Sequence, residues 1–139
     1  MVARTLYFRL KPTEIAALMH ICLDDDSAAG YRDAALIAIA RCGLRRGEIV
    51  NLTVADFDNE SGGLKVRQGK GRKDRIVYLP ESGIKVVADW VNKRNQSLGI
   101  SDGALLVSID RFDRLGNVHM ADQSVLTILK RSVYGTGIL

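Results

Sequence analysis

Two short runs hold the residues whose types and spacing could do chemistry: CGLRRGE at 42–48 and GKGRKDR at 69–75. Arg45 lies two residues after a glycine that closes one apolar helical segment, and another helical segment begins directly after it. An arginine at such a junction can aim a planar fork of donors at an oxyanion, with a helix N-terminus nearby adding to the positive field. Glu48, three residues on, is spaced to hold one of the arginines or to cap the helix start. The same residues also read as an Arg45–Glu48 or Arg46–Glu48 ion pair on a solvated surface, a common short-range pairing on helices.

Lys70 sits between two glycines, which let a loop approach another molecule closely while a flexible ammonium reaches a phosphate or delivers a proton. The run lacks the GxxxxGK[ST] spacing of a nucleotide phosphate loop and lies between two strands, which argues against nucleotide hydrolysis. Its surroundings are strongly basic. Residues 64–75 carry Lys65, Arg67, Lys70, Arg72, Lys73 and Arg75 against Asp74 alone, a local charge of +5 in a chain whose total is +4. All the positive excess therefore sits in one segment. That pattern suits a phosphate-bearing partner such as a nucleic-acid backbone, with a charged, solvated turn as the alternative.

At 139 residues the chain is about one domain, with enough apolar sequence for a core without metals or disulfides. The longest apolar run, Ala34 to Ala40, is far too short to span a bilayer, and no signal-peptide pattern opens the chain, so a cytoplasmic location is expected. Cys22 and Cys42 lack a CxxC pairing and read as reduced, packed thiols. Neither His20 nor His119 has a partner at metal-ligand spacing, so no metal and no cofactor is expected.

The elements that must position these residues follow from periodicity. Thr13 is a candidate N-cap for a helix over about Glu14–Leu23, broken by the acidic run and by Ser27 to Gly30. A helix apolar nearly all round starts near Arg32 and ends before Gly43, which predicts a central, buried element. A short helix over about Arg46–Leu52 follows. Strand-like runs at Leu64–Gln68 and Arg75–Leu79 flank the turn Gly69–Asp74, which predicts a hairpin. Ile84, Val87, Trp90 and Val91 mark another helix face. LLVSI reads as a short strand, DRFDRLGN as an exposed loop, and a last helix starts at Ala121 or Asp122, burying Val125, Leu126, Ile128 and Leu129. The expected class is α+β, mainly helical, with three helices, one small antiparallel sheet built on the 64–79 hairpin, and two more helices.

The succession RDAALIAIARCGLRRGEIVNLTVADFD, then GGLKVRQGKGRKDRIVYLP, closely resembles the catalytic domain of tyrosine recombinases of the phage integrase family. The likeness runs from about Thr13 to Leu139, and its specific core is CGLRRGEIVNL, then Asp56, then the lysine hairpin. It implies that Arg45 corresponds to the first catalytic arginine, which binds a non-bridging oxygen of the scissile phosphate and stabilises the transition state. Glu48 matches a supporting acid, and Lys70 the hairpin lysine that protonates the leaving 5′-oxygen. Lys65, Arg67, Arg72, Lys73 and Arg75 are then DNA-binding cations, and the partner is double-stranded DNA. In the family a tyrosine attacks without a metal and forms a 3′-phosphotyrosyl link.

The chain also departs from that pattern. A family member continues past the final helix into His-x-x-Arg and the nucleophilic tyrosine; His119 is followed by Met120, Ala121 and Asp122 and does not begin that motif. Tyr134 lies upstream of where the nucleophile belongs and reads as a packing residue. The expectation is a short segment over 1–12 followed by a partial catalytic domain over 13–139, inactive alone in strand cleavage. The alternative is a non-catalytic interaction module or gene remnant that dimerises or pairs with an intact recombinase.

Overall fold

The computed structural model describes residues 26–68, 71 and 73–136, the last six of these by backbone alone. The helix expected over Glu14–Leu23, together with Thr13, His20 and Cys22, lies outside the described residues.

Helix α1 spans Ala28–Ala40. It begins about one turn before the start expected near Arg32. Two caps explain this: the Ser27 hydroxyl accepts the Gly30 N–H at 3.1 Å, and the Asp113 carboxylate accepts the N–H groups of Ala28 and Ala29 at 2.8 and 3.0 Å. Residues that read as a break are thus held helical by satisfied N-terminal donors. The helix ends at Arg41, and Gly43 then turns the chain with φ of +88°, a conformation that costs a non-glycine residue strain. Ala34 through Ala40 are all buried, as an apolar surface all round requires. Burying side chains such as Leu36 and Ile39 stabilises the fold by about 1.5–3 kcal/mol each.

Helix α2, Arg46–Val50, is shorter than the sequence suggests, and a single 3₁₀ turn follows at Val54–Asp56. The first hairpin pairs β1, Gly63–Val66, with β2, Arg75–Tyr78, in the register Leu64↔Val77 and Val66↔Arg75. Period-2 alternation buries Leu64 and Val66 and leaves Lys65, Ile76 and Tyr78 on the outer face.

Helix α3, Glu81–Leu98, follows Pro80 and ends at Gly99 in the left-handed conformation (φ +70°). It packs chiefly on α1 and buries Val86, Val87, Trp90 and Arg94. The Trp90 indole N–H donates to the Leu105 carbonyl at 2.8 Å. Arg94 is fully buried, donating from Nε to the Ala104 carbonyl at 2.8 Å, from Nη1 to Asn95 Oδ1 at 2.6 Å, and from Nη2 to the Asp102 carbonyl. Its charge is therefore surrounded by acceptors, which a buried guanidinium needs.

A second hairpin corrects the sequence reading. The LLVSI strand appears as β3, Val107–Ile109, but the segment read as a loop continues into β4, Leu115–His119, which pairs with it antiparallel. Among the described residues there are thus two small ribbons rather than one. Little in LGNVH announces a strand, since Gly116, Asn117 and His119 offer no apolar alternation; the packing of Gly116 against Ser108 takes the place of a side-chain pattern. Helix α4, Asp122–Thr136, buries Val125, Ile128 and Leu129, while Leu126 is only half-buried. The architecture is α+β and mainly helical, as expected.

Candidate nucleic-acid interface

Helix α2 organises the site. Leu44 before it and Ile49 within it are fully buried, so the chain is anchored on both sides of Arg45. Arg45 occupies the N-cap with extended backbone (φ −76°, ψ 156°) and is exposed. Among the described residues, no hydrogen bond or ion pair engages its guanidinium.

Glu48 does two things at once. Its Oε1 accepts the Arg45 backbone N–H at 2.8 Å, the capping role open to it in the sequence. The same carboxylate then meets Arg75 fork to fork, with Nη1 donating to Oε2 at 3.0 Å and Nη2 to Oε1 at 3.2 Å. The ion pair is therefore made across 27 residues and not with the side chain of Arg45 or Arg46. Burial by itself would raise the Glu48 carboxyl pKa. Hydrogen bonds from Arg75 and from the Arg45 backbone, with the charges of both arginines, outweigh it and hold the pKa below its ordinary value. The hydrogen bond to Glu48 raises that of Arg75 despite some burial.

Arg67, on the other stem of the hairpin, is also engaged. Its Nη2 lies 3.2 Å from Asp56 Oδ2 and donates to the Asn51 carbonyl just past the end of α2. Asp56 is held in turn by the Thr53 N–H at 2.9 Å and the Thr53 hydroxyl at 3.1 Å. Lys65 makes a loose, exposed pair with Asp74 at 3.7 Å, of the kind worth about 0–1 kcal/mol. Lys73 is exposed. Lys70 and Arg72 lie outside the described residues, as does the side chain of Tyr134. The sequence-predicted residues thus divide: Arg45 and Lys73 are exposed, Lys65 pairs loosely with Asp74, and Arg67 and Arg75, still 47% and 41% exposed, are each held by a well-covered carboxylate.

His119, which the sequence reading left without a role, ends β4 with Nδ1 against the Val50 carbonyl. Its position was not visible because β4 itself was not. Arg75 did leave a signal: alternation along β2 puts it on the same face as Val77, towards the protein. A separate cleft of about 300 Å³, lined in part by Arg32, Ser108, Ser124 and Thr127, shares no residue with this site. The Arg32 guanidinium there is taken up by the Val107 carbonyl and Asp33. Among the described residues no group of three His, Cys, Asp or Glu gathers to hold a metal, and no helix is long and apolar enough to cross a membrane.

Residues 9–139 match the phage integrase family, and the chain belongs to it. Among its relatives, tyrosine recombinase XerC of Shewanella amazonensis is 36% identical over 107 residues, covering 76% of this chain and 35% of the relative. Tyrosine recombinase XerA of Pyrococcus furiosus is 30% identical over 94 residues, covering 67% of this chain and 32% of the relative. A crystal structure of XerA recombinase superposes with a TM-score of 0.75 at 25% identity, over 93% of this chain and 42% of that one. The chain spans about a third of the length of the curated relatives it matches.

Proposed function

We propose that these residues form the DNA-binding, phosphate-activating part of a site-specific tyrosine recombinase. Arg45 grips a non-bridging oxygen of the scissile phosphate, Lys70 at the hairpin turn protonates the leaving 5′-oxygen, and Lys65, Arg72 and Lys73 neutralise flanking phosphates of duplex DNA. The observation that carries this reading is the exposed Arg45 guanidinium, which among the described residues has no hydrogen bond or ion pair, on a backbone whose N–H is held by Glu48. A guanidinium fork bonds two phosphate oxygens at once and is strongest where charge grows in the transition state.

Membership of the phage integrase family and likeness to tyrosine recombinases support the reaction class. Attack by a tyrosine to give a 3′-phosphotyrosine belongs to the whole recombinase. For this stretch of residues by itself, binding without strand cleavage is expected, since it contains no His-x-x-Arg run.

Titration of a fluorescent DNA duplex at fixed salt tests the reading. Arg45→Ala and Lys70→Ala should each weaken binding by about tenfold, the scale of a charge-assisted contact, with circular dichroism unchanged. Unchanged affinity in both variants would refute it, and concentration-dependent dimerisation alongside would favour an interaction module.

A further inference from the structure

The hairpin that carries Lys70 is fastened by its own arginines to α2 itself and to the segment that follows it. Arg75, which follows the turn, grips Glu48, and Glu48 in turn holds the Arg45 backbone N–H at the start of α2. Arg67, which precedes the turn, grips Asp56 and the Asn51 carbonyl just past the end of α2. The two carboxylates are well covered, with side-chain exposures of 12% for Glu48 and 8% for Asp56. A cation facing such a carboxylate is committed to it, because leaving a covered carboxylate unpaired is costly.

We infer that Arg67 and Arg75 are positioning residues rather than DNA contacts: they clamp the hairpin stems to α2 at Glu48 and to the segment just after it at Asn51 and Asp56, setting where the hairpin turn stands relative to Arg45. The geometry stands by itself, while its consequence for catalysis rests on the phosphate-binding reading of Arg45 and Lys70. It divides the basic segment into cations that face DNA and cations that hold the frame. Lysine is a poor substitute at 75, since a single ammonium cannot reproduce the two parallel bonds of the fork.

A double-mutant cycle with Arg75→Gln, Glu48→Gln and the pair separates a clamp from a phosphate contact. In the DNA-free chain, hydrogen exchange at the Arg45 amide should speed up about tenfold in Arg75→Gln, with partial recovery in Arg75→Lys. For duplex DNA, Arg75→Gln should weaken binding of the unmodified chain by about tenfold but change it less than about twofold in the Glu48→Gln background. The slope of log affinity against log salt should stay the same. Equal losses in both backgrounds, with the slope reduced by about 0.9, would mark Arg75 as a phosphate contact and overturn the inference. So would an Arg45 amide indifferent to Arg75. Should Arg75→Gln lose its helical circular dichroism, Arg75→Lys carries the same comparisons. The amide measurement needs no DNA: an unmodified chain that fails to bind DNA sinks the DNA reading alone, and an indifferent amide sinks the clamp alone.

Discussion

Asp113, at the tip of the second hairpin, caps a helix that begins at Ala28, 85 residues earlier: its Oδ2 accepts the Ala28 N–H at 2.8 Å, and its Oδ1 the N–H of Ala29. Asp113 does so with φ of +62°, a left-handed conformation that aspartate tolerates better than alanine. Asp113→Ala therefore loses the cap and adds backbone strain, for about 2–3 kcal/mol in total, whereas Asp113→Gly loses only the cap, for about 1 kcal/mol. Urea denaturation should rank Ala below Gly, the reverse of the usual order.

Arg94 is the most deeply buried charged residue among the described residues, and burial works against its charge while Asp102 partly offsets the effect. Arg94→Met leaves the Ala104 and Asp102 carbonyls without their donor and should cost about 3 kcal/mol. Trp90, the chain's one tryptophan, packs beside the same segment, so its emission reports the loss of order directly.

Two glycines should respond in opposite directions. A Cβ at Gly62 would stand 2.7 Å from Ile84 and 2.9 Å from the Leu79 carbonyl, at φ of +79°, so Gly62→Ala should cost more than about 2 kcal/mol. A Cβ at Gly47 meets nothing within 4 Å, and the residue is helical, so Gly47→Ala should raise stability by about 0.5–1 kcal/mol. Thermal melts of the two variants check both signs.

Acid should weaken the clasp on α2 in a defined direction. Because the folded-state pKa of Glu48 lies below its ordinary value of 4.5, the stabilisation is complete above 4.5 and fades as pH falls through the lowered value. The stability difference between the chain and its Glu48→Gln variant should accordingly be full near neutrality and shrink in acid. Asp58 and Asp110, whose pKa values are lowered chiefly by backbone N–H groups, titrate in both proteins and cancel in the difference.

What could be read from the sequence was what is written in local periodicity. The apolar wrap of α1, the Ile84–Val87–Trp90 face of α3 and the glycine-flanked turn between two alternating runs each announce their element. β4 does not, because LGNVH is a mostly exposed strand held by pairing with β3 rather than by an apolar face. The start of α1 is not legible locally, because two of its three capping bonds come from Asp113, a tertiary contact with no local trace. Arg94 reads as a solvent residue by type, and only the carbonyls of 102 and 104 make it a core one. At the site, Arg45 and Glu48 were legible as a pair, yet the charge that completes Glu48 lies on another strand. The alternation of β2 gave the face of Arg75 but not its partner.

The salt dependence of duplex binding tests the central claim most directly. On the proposed reading Arg45, Lys65, Lys70, Arg72 and Lys73 meet phosphates and Arg67 and Arg75 do not, so about five contacts give a slope of log affinity against log salt near −4.5, falling to about −3.6 in Arg45→Ala. A slope near zero, or one that Arg45→Ala leaves untouched, would contradict the account.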